Sequence, residues 1–135
     1  MQLARAFCLI ASPLTNLFYR GLNLISTYPD SRLIKTIKES ITAITEKGEN
    51  IVIYPENSDN GYLNVLDCFH AGFTVLAEAL RKIGRDVKIF VAYFKKKERK
   101  YIFDKPVLFS ELKAKFKDRN KIADYLLQKC NALGK

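Results

Sequence analysis

Apolar residues recur at helical spacing in three stretches of the chain. Arg32 to Lys47 carries Ile34, Ile37, Ile41 and Ile44 at steps of three and four, and Gly48 is a natural stop. Asp30 or Ser31, in the turn Tyr28-Pro29-Asp30-Ser31, is placed to cap that helix. A second helix is expected after Asp67, with Phe69, Phe73, Leu76, Leu80 and Ile83 on one face and Gly84 at its end. A third, basic helical region opens at Ser110 and turns Ile122, Leu126, Cys130 and Leu133 inward. Residues 2–20 read as an amphipathic helix interrupted at Ser12-Pro13.

Between these lie runs of strand length. Leu22–Thr27 is short and apolar, and Ile51-Val52-Ile53-Tyr54 is a continuous run bounded by Asn50 and Pro55. A strand apolar on both faces suits a covered parallel sheet. Val87–Phe94 and Arg99–Phe103 flank the basic turn Lys95–Lys97, and Lys105–Leu108 adds an edge segment. In this pattern Tyr93, Phe94, Tyr101 and Phe103 are expected in the core. Strands alternating with helices predict an α/β fold: a mostly parallel sheet flanked by helices, finished by a C-terminal hairpin. With 135 residues and no linker, residues 1–135 are expected to form a single domain.

Charge sharpens the picture. Residues 1–80 hold six Lys/Arg and eight Asp/Glu, whereas residues 81–135 hold seventeen and six, so the net +9 sits in the second half. That asymmetry suggests an anionic partner: a nucleic acid, acidic lipid headgroups or a phosphorylated substrate. Cys8, Cys68 and Cys130 are far apart and odd in number, which argues for reduced thiols and against a zinc site. Ala6–Tyr19 is too short to span a bilayer. A cytoplasmic location, peripheral on the inner face of the membrane, is expected.

Ligands in parallel sheets sit at the carboxyl ends of strands, which directs attention to the polar loop from Pro55 onward. Gly48-Glu49-Asn50-Ile51-Val52-Ile53-Tyr54-Pro55-Glu56-Asn57-Ser58 resembles the third motif of the lysophospholipid and glycerol-phosphate acyltransferase superfamily, a phrase like G-x-x-hydrophobic-F-P-E-G-T-R-S. Phe69-His70-Ala71-Gly72-Phe73 resembles the F-K-x-G that follows it, and Lys105-Pro106-Val107 the later G-K-P-I strand. Leu24–Thr27 with Arg32 looks like the second motif, a strand followed by a phosphate-binding Arg. The resemblance covers residues 20–110 and is nearest to divergent bacterial members.

The resemblance implies a partial acyltransferase domain in phospholipid synthesis. Acyl transfer would run from an acyl thioester, acyl-CoA or acyl carrier protein, to the hydroxyl of a lysophospholipid or glycerol phosphate. No bound cofactor or metal is implied. Substrate contacts are carried over to Glu56, Arg32, Asn57 and Ser58. The family's H-x-x-x-x-D is missing: the one histidine, His70, follows the third motif, and five residues beyond it stands Val75. The third-motif Arg is replaced near Asp59, Asn57 stands for its glycine, and Val91-Ala92-Tyr93 lacks the fourth motif's proline. No catalytic residue is therefore assigned, the chain is expected to be an N-terminally incomplete domain, and it should be inactive in isolation. The alternative is a noncatalytic module that binds anionic lipid or nucleic acid. The acidic Pro55-Glu56 loop and the lack of a nucleic-acid motif disfavour the latter. The run Lys95–Lys100 would meet an anionic membrane surface.

Overall fold

The computed structural model describes residues 14–15, 17–19, 21–28, 30–56, 61 and 63–135. Asn57, Ser58, Asp59, Pro13 and most of the expected first helix lie outside them. The chain divides into two compact units, Met1–Ser40 and Ile41–Lys135.

In the first unit, helical backbone at residues 14, 15, 17–19 and 21 leads into a turn with Asn23 at φ 47°. Residues 24–28 are extended and join no ladder, so the strand expected over Leu22–Thr27 does not form among the described residues. Helix α1 (Leu33–Thr45), whose residues from Ile41 on belong to the second unit, is where the isoleucine spacing placed it. Its fully buried residues are Thr36, Ser40 and Ala43, beside half-buried Ile37, Ile41 and Ile44, while Ile34 stays exposed. Small side chains allow close packing there, and the Thr36 hydroxyl donates to the Ser26 carbonyl at 2.6 Å. Gly48 does end the helix. It adopts φ 67°, and the Glu49 amide closes back on the Ala43 carbonyl at 2.9 Å.

The second unit holds every strand found among the described residues. β1 (Lys88–Ile89) pairs with β4 (Val107–Leu108), and β2 (Ala92–Lys95) pairs with β3 (Lys100–Phe103), both antiparallel. The stretch Val87–Phe94 is thus two strands with different partners rather than one. α2 (Phe73–Lys82) precedes them, and α3 (Phe109–Lys115) and α4 (Arg119–Leu133) follow. The architecture is mixed α/β with the expected hairpin, and the ladders among the described residues are all antiparallel. Ile51–Tyr54 joins none of them. Val52 is 74% exposed and Tyr54 70%, which corrects the expectation of a strand buried on both faces. A β-branched run favours extended backbone, but burial requires neighbouring strands, and none is laid beside it.

The core gathers Ala77, Val91, Tyr93, Phe109, Leu112, Ile122, Leu126 and Cys130. α4 presents Ile122, Leu126 and Cys130 at the predicted spacing, with Leu133 packed against them. The basic region is broken into two helices: Phe116 is extended and Asp118 caps α4 by accepting from the Asn120 amide at 2.9 Å. The α3 end is served from a distance, since Asp86 accepts from the Ser110 amide (3.1 Å) and hydroxyl (2.5 Å). Gly84 at φ 79° ends α2 as expected, but α2 starts at Phe73, so Asp67 does not cap it. Of the four aromatic residues expected inside, only Tyr93 is buried; Phe94, Tyr101 and Phe103 point outward.

Candidate functional site

Pro55 and Glu56 are tied to the segment that leads into α2. Glu56 forms an antiparallel bridge with Phe69, and the His70 amide donates to the Pro55 carbonyl at 2.7 Å. Two stretches separated by an intervening polar loop are thereby held side by side, with Glu56 and His70 both at the surface. Phe69 packs against the core, which anchors this junction.

Glu56 also acts on its surroundings through charge. The Tyr101 phenol beside Tyr54 raises the pKa of Tyr54, burial adds to this, and Glu56 contributes a smaller push in the same direction. Burial pushes the Cys130 thiol up to about 11, with Glu56 again adding. Cys130 is therefore a protonated core thiol that donates to the Ala92 carbonyl at 3.4 Å, not a nucleophile.

Arg32 belongs to the first unit and Glu56 to the second. The Arg32 guanidinium grips Asp30 through Nε (3.0 Å to each carboxylate oxygen) and through the second nitrogen (2.8 Å), and it lies 4.3 Å from the Tyr28 ring centre. Asp30 in turn is held below the usual carboxylate range by that guanidinium. A phosphate at Arg32 would have to share the guanidinium with Asp30. At Gly72, just before α2, nothing lies within 4 Å of the position a Cβ would take.

Sequence reasoning missed Asn131. Its side chain accepts from the Leu66 amide at 2.8 Å and donates to the Leu66 carbonyl at 2.9 Å, while the Tyr93 hydroxyl donates to the Asn64 carbonyl at 2.8 Å. These three bonds fix the chain between the polar loop and Phe69 against α4 and β2. An asparagine next to a buried helix position carries no pattern that would announce such a role.

Among the described residues no group of three His, Cys, Asp or Glu side chains is arranged to hold a metal ion. No described helix is long and apolar enough to cross a membrane. Comparison of the chain with family models, with curated proteins and with solved structures finds no match.

Proposed function

We propose that the chain is an acyltransferase-like domain for transfer from an acyl thioester to a hydroxyl of a lysophospholipid or glycerol phosphate. The observation that carries this reading is the junction of Pro55-Glu56 with Phe69-His70. It sets side by side the two stretches that resemble successive motifs of that family. In this reading the Glu56 carboxylate accepts a hydrogen bond from an acceptor hydroxyl, and Asn57 and Ser58 are carried over from the motif as further contacts. Arg32, within its own unit, could hold a phosphate by exchanging its Asp30 contact for a bidentate one.

Transfer requires a base to take the proton of the attacking hydroxyl, and such a base is typically worth 10²–10⁴-fold. His70 lacks an Asp five residues on, and no catalytic role is assigned to it. The chain by itself should consume no acyl thioester when lysophosphatidic acid is the acceptor. Turnover unchanged by His70→Ala would overturn the assignment of no base.

Acceptor binding is the direct test. Glycerol 3-phosphate added to labelled protein should shift the backbone amide resonances of Glu56 and His70, and Glu56→Gln should remove those shifts. Glycerol 3-phosphate shifts confined to other residues would sink the reading.

A further inference from the structure

The hairpin formed by β2 and β3 has two unlike faces. Register pairs Ala92 with Phe103, Tyr93 with Ile102, Phe94 with Tyr101 and Lys95 with Lys100. Tyr93 and its neighbour Val91 are buried. The alternating positions Phe90, Ala92, Phe94, Tyr101 and Phe103 all face outward, and Phe103 is 64% exposed. The outward rings touch one another: Phe94 to Tyr101 at 4.9 Å between centroids, Tyr101 to Phe103 at 6.4 Å. The hairpin turn from Lys95 to Lys100 holds five cations and one carboxylate, of which the paired Lys95 and Lys100 lie on the Tyr93 side. Glu98 is held by Lys100 and faces Lys95 at 3.9 Å, so the one negative charge is neutralised within the turn. Lys96, Lys97 and Arg99 are exposed.

We propose that this outer hairpin face and its basic turn dock the protein on an anionic lipid bilayer. The inference rests on the hairpin alone and stands apart from the acyl-transfer reading. A contiguous apolar face rimmed by polar residues marks an interaction surface. A bilayer interface matches both halves of this one: aromatic rings enter the region between headgroups and acyl chains, while Lys and Arg reach the phosphates. The charge complementarity selects the partner. A second copy would bring two such turns together and repel. Single-stranded nucleic acid is favoured by cations strung along a row of separate rings on which bases stack. Here the rings close on each other and the cations collect at one end.

The chain contains no Trp, so a single Phe103→Trp substitution gives a clean fluorescent reporter on this face. Its emission should shift to the blue with vesicles of one-third phosphatidylglycerol in phosphatidylcholine, stay unshifted with phosphatidylcholine alone, and return as salt is added. Lys97→Gln and Arg99→Gln should each weaken the partition about fivefold. Phe94→Trp reports from the same face if circular dichroism shows that Phe103→Trp does not fold. An unshifted emission with anionic vesicles overturns the proposal. So does a blue shift that grows with protein concentration in the absence of vesicles, which would assign the face to a second copy. A larger response to oligothymidylate than to vesicles at the same salt would assign it to nucleic acid.

Discussion

The stretch from Val87 to Leu133 is rich in charge and the run Ile51–Tyr54 is wholly apolar, yet only the first is organised. In the former, two antiparallel ladders and two helices bury Val91, Tyr93, Phe109, Leu112, Ile122 and Leu126. In the latter, three successive β-branched or aromatic side chains face solvent. The difference is one of partners. Hydrophobic burial needs a second surface, and a ladder needs a neighbour to take its amides and carbonyls. An apolar sequence supplies neither by itself.

The sharpest way to break that contrast is to remove equal chemistry from both regions. Ile122→Ala should cost about 2–5 kcal/mol, as a fully buried side chain leaves a cavity. Val52→Ala should stay within about 0.5 kcal/mol, because its side chain is largely solvated. Urea denaturation of both variants checks this, and a Val52→Ala loss as large as that of Ile122→Ala would mean that the run is covered in solution.

A smaller effect tests how tightly the organised region is filled. A Cβ on Gly134 would lie 2.7 Å from the tip of the buried Tyr93 ring, although its backbone angles suit any residue. Gly134→Ala should therefore destabilise by about 1–3 kcal/mol through overpacking. A thermal melt equal to that of the parent would show that the end of α4 yields freely.

The smallest effect concerns pH. Asp104 accepts from Lys129 and from the Lys105 amide (2.7 Å), and the Lys129 ammonium, first among the causes, holds its carboxyl below the ordinary value. A carboxyl lowered on folding contributes stability that is present above its unfolded value and is lost as pH falls through its folded one. The midpoint of thermal unfolding should thus decline below about pH 4, and less steeply in Asp104→Asn. Equal slopes for the two proteins would remove this pair from the account.

How much of this was legible depends on which force sets each element. Helices α1, α2 and α4 follow from three-and-four spacing, and Gly48 and Gly84 end the first two because both adopt positive φ. In α1 three of the four spaced isoleucines, Ile37, Ile41 and Ile44, are half-buried, but the fully buried positions are the smaller Thr36, Ser40 and Ala43 beside them, with Thr36 donating to a carbonyl. For the hairpin, alternation could not choose a face. Tyr93 and Ile102 are on one side and Phe94, Tyr101 and Phe103 on the other, so both sides are apolar and only packing against α4 decides between them. Of the candidate contacts, neither the bridge of Glu56 with Phe69 nor the engagement of Arg32 by Asp30 is announced by spacing, although an Asp two residues before an Arg at a helix start offers the latter pairing.

The Asn131 clamp on Leu66 has a kinetic consequence. It closes a segment of 65 residues with two hydrogen bonds from one side chain, the kind of non-local contact whose closure entropy is met before any reward arrives. The hairpin, by contrast, joins neighbours in sequence. The hairpin and α4 should therefore assemble early, and the chain around Leu66 should latch on after the rate-limiting barrier. Asn131→Ala should then leave the refolding rate nearly unchanged and accelerate unfolding, the signature of an interaction made on the native side of the transition state. In the folded protein the same latch is a point of controlled opening. Amide exchange at Leu66 should report the release of this segment at a lower free energy than the exchange of Ile122 in α4.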